Sequence, residues 1–185
     1  MRILACADLH GVTERAACVR DLIVETAPDV VVLAGDIAGF EGEAEALAAL
    51  HSPVPVLAVP GNMDGAKTVV ALARRGWLLT DEPREIGGVT FAGSRVRRTV
   101  DVVVVHCPPQ GTLDGTPGGD HIGSPGVREA MRTIRPRVLV CGHVHESPGV
   151  ERIGETLVVN CSMGAGKVRG ALIFLEEESV RAELV

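Results

Sequence analysis

Asp8, His10, Asp36, Asn62, His106, His143 and His145 carry carboxylate, amide and imidazole groups, the side chains that hold divalent transition metals. Their densest stretch is Gly142-His143-Val144-His145, which follows the apolar, β-branched run of residues 136–141. That run reads as a buried strand. Two histidines one residue apart, in extended chain at its end, would project the same way because side chains repeat every two residues. Alone, such a pair also fits surface or capping histidines, so its partners decide.

The partners occupy matching places. Asp8 and His10 follow the run 2–7, Asp36 follows 29–34, Asn62 follows 54–59 and His106 follows 101–105. Singly, Asp8, Asp36 and Asn62 beside glycines are ordinary residues of strand-to-helix turns. Together with four of the six histidines they all fall just past strand ends. Ligand sites of open α/β sheets lie there, beyond the carboxyl ends of the strands. Seven oxygen and nitrogen donors exceed what one zinc takes and suit two ions sharing a bridging carboxylate. Imidazoles mixed with hard oxygens suit manganese, iron, zinc, nickel or cobalt better than calcium or magnesium. His51 ends a helical pattern with no partner in sequence and reads as surface.

The elements that must position these residues follow from the hydrophobic pattern. Strands over 2–7, 29–34 and 54–59 alternate with helices over about 13–26, 41–50 and 66–75, the pattern of βαβ units and a parallel sheet. Apolar runs without alternation imply strands covered on both faces. Thr13 is placed to cap the first helix, and Pro28 stops it. Beyond Trp77 come a hairpin turning at Gly87-Gly88 and then the strand 101–105. The loop 110–124 is dense in Gly, Thr, Asp and Pro, and loops of that length are usually functional or disordered. Ser124-Pro125 starts a helix that Pro136 ends. The strand 136–141, a second hairpin around Gly154-Glu155 and strands over 170–175 and 180–184 complete the chain. No internal repeat or linker divides residues 1–185, which read as one domain.

Composition narrows the function classes. The chain has 185 residues, 46% of them apolar, with Trp77 the one tryptophan and no tyrosine. That suits a compact α/β core and argues against aromatic platforms for single-stranded nucleic acid. A net charge of −6 provides no global basic field for nucleic acid or anionic membrane. Arg95, Arg97 and Arg98 form the local exception and read first as a solvated loop. Five scattered cysteines without a CxxC pair argue against a disulfide framework and fit a reducing cytoplasm. The N-terminal run meets Asp8 too early for a signal peptide, and no apolar run reaches spanning length. The expectation is a soluble cytoplasmic protein; monomer and homo-oligomer both stay open.

In order along the chain, Asp8-x-His10, Gly35-Asp36-x-x-Gly39, Gly61-Asn62-x-Asp64, His106 and Gly142-His143-x-His145 resemble the motif set of the calcineurin-like metallophosphoesterases. Pro108-Pro109-x-Gly111-Thr112, His121-Ile122-Gly123-Ser124 and His145-Glu146-Ser147 are similar to the small prokaryotic branch called Icc-related phosphoesterases. The resemblance implies a four-layer α/β/β/α sandwich with a binuclear metal centre at the carboxyl ends of its strands. It implies Asp8, His10, Asp36 and His145 around one ion and Asp36, Asn62, His106 and His143 around the other, Asp36 bridging. In such centres two divalent ions make a bridging hydroxide available near neutral pH for in-line attack on phosphorus, and they neutralise the developing charge.

Three departures qualify the resemblance. The third position of the asparagine motif is usually histidine, the expected proton donor; here it is Met63, which cannot transfer a proton. Asn62, Asp64 and the loop residue His121 are then the catalytic candidates, with His121 either a substitute acid or a solvated loop histidine. Thr112 and Arg97 are the candidate substrate contacts. The segment 95–100 is short where relatives often carry a helical insertion, and Asn160-Cys161-Ser162 stands where Asn-Pro-Gly is expected, which puts the local turn in question. The expected activity is binuclear-metal-dependent hydrolysis of a small-molecule phosphate ester, a diester before a monoester because the acid is missing. A phosphomonoesterase or nucleotide hydrolase is the alternative among enzymes. A metal-impaired scaffold is the alternative outside them, and the seven filled ligand positions argue against it.

Overall fold

Successive side chains of a strand face opposite ways, so an unbroken apolar strand needs partners on both sides. The computed structural model, which describes residues 1–38 and 48–185, provides them with two stacked sheets and flanking helices. The first sheet has the order β11(Val180–Leu184), β10(Ala171–Leu175), β1(Arg2–Cys6), β2(Val30–Ala34), β3(Val56–Val59). Strands β1, β2 and β3 run parallel, as the alternating pattern predicts, and β10 closes against β1 antiparallel. The second sheet has the order β4(Arg84–Ile86), β5(Val89–Ala92), β6(Val102–Val104), β7(Val138–Cys141), β9(Thr156–Asn160), β8(Gly149–Ile153). Here β5, β6, β7 and β9 are parallel neighbours, while the two predicted hairpins supply the antiparallel edges.

The two-residue period sorts the core into layers. Ile3, Ala5, Val30, Val32 and Ala34 meet Phe91, Val102, Val104, Val138, Val140 and Val159 between the sheets. The alternate residues Leu4, Cys6, Val31 and Leu33 pack under α1(Thr13–Thr26) and α2(Ala66–Arg74). Val103, Val105, Leu139 and Cys141 pack under α3(Pro125–Ile134), which contributes Val127, Met131 and Ile134. The result is the expected α/β/β/α sandwich. Valine and alanine dominate the middle layer, which lets two twisted sheets approach closely, and Phe91 is the bulkiest fully buried side chain. Burial pushes the thiols of Cys6, Cys141 and Cys161 well above their ordinary value, so these cysteines act as small apolar residues.

Helix ends differ in one case. Ser124 caps α3 as predicted, its hydroxyl accepting from Val127 N at 3.2 Å, with Pro125 in the first turn. Thr13 does not cap α1: it is already helical, Val12 holds the cap position, and the threonine hydroxyl faces Glu14. The Ala/Glu-rich helix expected over 41–50 lies largely outside the described residues, as does Gly39 of the second motif. His51 is exposed, as expected. No helix among the described residues is long and apolar enough to cross a membrane.

Because Phe91 plugs the layer between the sheets, Phe91→Ala should destabilise the fold by about 3–5 kcal/mol, read as a lowered midpoint in chemical denaturation. A loss under about 1 kcal/mol would show that the sheets collapse to fill the space.

Candidate metal centre

Every ligand-type residue sits just past a strand. Asp8 and His10 leave β1, Asp36 leaves β2, Asn62 leaves β3, His106 leaves β6, and His143 and His145 leave β7. The carboxyl ends of both sheets therefore meet at one place. His143 N donates to Asp8 Oδ2 at 3.0 Å and His106 Nδ1 to Ala34 O at 2.9 Å, stitching the second sheet to the first. Four of these residues hold left-handed backbone: Asp8 (φ 62°), His10 (52°), Asp36 (50°) and His143 (70°). Such conformations cost on the order of 1 kcal/mol each, and surrounding contacts must enforce them.

The left-handed His143 corrects the expectation of two histidines projecting together from extended chain. Strand β7 ends at Cys141, the backbone turns at His143, and the two rings part. His145 lies edge-on to His10 and His143 edge-on to His106, with ring centroids 5.0 Å apart in both pairs. The histidines thus divide between two halves of the site.

Both halves hold acceptors facing acceptors. In the first, His145 Nε2 stands 3.1 Å from His10 Nε2 and 3.5 Å from Asp8 Oδ1. Asp8 is fully buried, and its Oδ1 has no hydrogen-bond partner. A buried carboxylate oxygen left so is costly unless a cation meets it. In the second half, the bond to Ala34 O fixes the proton of His106 on Nδ1, which turns the Nε2 lone pair inward. That nitrogen faces Asn62 Oδ1 at 2.9 Å and Asp36 Oδ2 at 3.3 Å, two further acceptors. Asp8, His10 and His145 converge closely enough to hold one ion, and Asp8, Asp36 and His106 to hold another. Asp8 is common to both groups, whereas the resemblance implies Asp36 as the bridge. Asp36 reaches the first half through His10 Nδ1, 4.0 Å away. The donor set fits divalent transition metals.

Charge tuning follows the same contacts. Burial would raise the Asp36 carboxyl, but the adjacent His106 ring and the Met63 amide outweigh it and hold the group below its usual range. Burial would lower His106, yet the Asp36 carboxylate and Ala34 O raise it, favouring a second proton on Nε2 wherever no cation takes that lone pair. Burial lowers His10, and burial together with neighbouring His106 lowers His143, which keeps both rings neutral and able to ligate.

A second layer holds these side chains. Asp64 accepts three backbone N–H groups, from Ile37, Ala38 and Gly61, at 2.9–3.2 Å. It ties the Asp36 turn to the Asn62 turn. Met63 contributes its amide, 2.7 Å from Asp36 Oδ1. Gly35, at φ +88°, leaves room for His106, whose ring would lie 2.5 Å from any Cβ there. Sequence reasoning missed two further supports. Arg15 donates to Asp8 O at 2.8 Å and to Gly164 O at 2.9 Å, joining the Asp8 turn to the segment beside the His145 ring. Its signal was a cation in the first turn of a helix, where the dipole disfavours one. Asn160 Nδ2 donates to Val144 O at 3.0 Å and Leu113 O at 3.2 Å, and its Oδ1 accepts from Ser162 N, which settles the questioned turn without Pro or Gly.

The loop 110–124 packs beside this centre. Ser147 Oγ donates to Gly115 O at 2.7 Å, linking the loop to the segment after His145. His121 Nδ1 donates to Asp114 Oδ1 at 2.7 Å, while Asp114 Oδ2 accepts from Gly111 N and Gly123 N. Burial would raise the Asp114 carboxyl, but His121 and the two amides outweigh it and keep the group ionised. The His121 side chain is 61% exposed, with Nε2 directed to no partner among the described residues. Thr112 is buried and its hydroxyl accepts from Arg128, which pins the loop to α3. Arg97 is exposed.

The chain is similar to known proteins. The family model of the calcineurin-like phosphoesterase superfamily domain covers residues 1–172, and the chain belongs to that family. An uncharacterized protein of Methanocaldococcus jannaschii, MJ1162, is 29% identical over 88% of both chains. Among solved structures, TT1561 of Thermus thermophilus superposes with a TM-score of 0.72 at 16% identity, covering 99% of this chain and 98% of that one. A novel archaeal phosphodiesterase superposes with a TM-score of 0.65 at 18% identity over the full length of both. These likenesses establish the fold.

Since Asp64 holds two ligand turns without itself facing the acceptor cluster, Asp64→Ala should weaken divalent-metal binding about ten- to a hundredfold. Calorimetric titration of the metal-free protein with manganese measures this; unchanged affinity would leave Asp64 no positioning role.

Proposed function

We propose that the chain is a binuclear-metal-dependent phosphoesterase acting on small-molecule phosphate diesters. The observation that carries this reading is the pair of acceptor groups sharing Asp8, whose buried Oδ1 has no partner. Asp8, His10 and His145 would hold one ion. Asp36, His106 and Asn62 would hold the other, with Asp8 or Asp36 between them and His143 completing the second half. Manganese, iron, zinc, nickel and cobalt all suit such donors. Bound there, the ions would supply Lewis-acid polarisation of the phosphoryl group and a nucleophile at neutral pH.

The chain's own residues do the rest. Neutral His10 and His143 keep lone pairs available, and the Nδ1–H bond of His106 keeps its Nε2 aimed inward. Asn62 is exposed, and its Nδ2, without a hydrogen bond among the described residues, can donate to a phosphoryl oxygen. Met63 offers no proton, so the leaving group must be acidic or be served by another acid. His121, oriented by buried Asp114 with Nε2 outward, is the group built to carry that proton. A diester, which can expel one acidic arm without assistance, fits this arrangement better than a monoester. The five free thiols suit a reducing cytoplasm.

Asp36→Ala should abolish both metal loading, read by elemental analysis, and hydrolysis of bis(p-nitrophenyl) phosphate; retained turnover would sink the binuclear assignment. His121→Ala should slow a diester with an alkoxide leaving group about a hundredfold while changing the aryl diester little. Equal losses on both substrates would remove His121 as the acid.

A further inference from the structure

An open cleft of about 520 Å³ begins beside the second half of the centre, a volume in the range of small-molecule sites. Pro60 and His106, which flank the acceptor cluster, share its lining with Val69, Leu79, Val127 and Arg95. Most of the wall is aliphatic, from β3, α2, β6 and α3, so an apolar body in the cleft would leave water for an apolar surface.

Two charged side chains line the cleft, Arg95 and Asp81, and one carboxylate oxygen of Asp81 is occupied by the Arg95 amide. The Arg95 guanidinium makes no hydrogen bond or ion pair among the described residues, unlike those of Arg15, Arg84, Arg128, Arg137 and Arg152, which bond backbone carbonyls. The turn that presents it is anchored: Arg95 N donates to Asp81 Oδ1 at 2.9 Å, and Gly93 N to Thr80 O at 2.9 Å. A Cβ at Gly93 would lie 2.6 Å from Asp81 Oδ1, so a larger residue there would displace the carboxylate that anchors the turn. Arg97 and Arg98 are exposed on the same segment but do not line the cleft. An unpaired guanidinium on a fixed turn, at an aliphatic cleft adjoining acceptor-bound His106, matches a ligand with an apolar body and an anionic group.

We propose that this cleft binds the retained organic arm of the substrate, an aromatic arm carrying an anionic substituent, and that Arg95 engages that substituent. The assignment rests on the proposed phosphoesterase reading in one respect, the placing of the phosphoryl group beside His106 and Asn62. An aryl ring contributes apolar contact against Val69, Leu79 and Val127, and a carboxylate or second phosphate on it meets the planar fork of Arg95.

Binding of phosphonates, which are not hydrolysed, tests this by calorimetry on the manganese-loaded protein. Phenylphosphonate should bind about tenfold tighter than methylphosphonate, and 4-carboxyphenylphosphonate about fivefold tighter again. Ser94→Trp, which places a ring in the cleft from its lining, should erase the phenyl preference. Arg95→Ala, at an exposed position that leaves the fold intact, should erase only the carboxylate preference, and Arg97→Ala should change neither. Equal or absent binding of the three ligands to the wild type, or a carboxylate preference that survives R95A, would overturn the assignment. Arm-selective binding without turnover of bis(p-nitrophenyl) phosphate would sink the hydrolase reading and leave the cleft assignment standing; turnover without arm selectivity would do the reverse.

Discussion

Two carboxylates with almost no access to water, Asp8 and Asp36, set the terms for the rest of this molecule. Withdrawing such charges from solvent costs several kcal/mol apiece unless something of opposite sign meets them. Among the described residues no lysine or arginine pairs with either one; the only charged partners within reach are imidazoles. Arg15, the nearest guanidinium by contact, is turned to the carbonyl oxygens of Asp8 and Gly164. The compensation is therefore partial, through the amides of His143 and Met63 and the rings of His106 and His145. Cations at the proposed centre would complete it. A protein needing stability alone would have used a salt bridge or an apolar pair here.

The sandwich exists to bring these charges together from distant parts of the chain. Parallel strands β1, β2 and β3 deliver Asp8, Asp36 and Asn62 to one edge, and β6 and β7 deliver the histidines to the same edge of the facing sheet. The valine- and alanine-rich layer between the sheets sets the spacing, because bulkier side chains would part the edges and with them the ligand halves. Asp64 and Asn160 then act across turns where the strands no longer can.

Much of this was legible in the order of residues. Continuous apolar runs identify strands covered on both faces, and a polar residue of ligand type at the end of each run identifies where the runs converge. The α3 cap and both hairpins follow from local chemistry, Ser-Pro in one case and glycine-bearing turns in the others. What was not legible depends on contacts between segments far apart in sequence. Thr112 appears free in a polar loop, yet its hydroxyl lies under Arg128. Asp64 appears as one more acid of a motif, yet three amides from two turns occupy it. The direction of His143 was missed because a left-handed residue just past a strand leaves no mark in hydrophobic periodicity.

The left-handed turns have a further meaning for how this architecture can change over time. Aspartate, asparagine, histidine and glycine are the residues that best tolerate positive φ. At Asp8, His10, Asp36 and His143 the demands of backbone shape and of ligand chemistry therefore select from the same small set. An exchange of aspartate for asparagine or glycine at such a position removes a charge without forcing the chain into a new path. Descendants could thus shed their chemistry one residue at a time and keep the shape, which makes this fold a ready source of non-catalytic relatives.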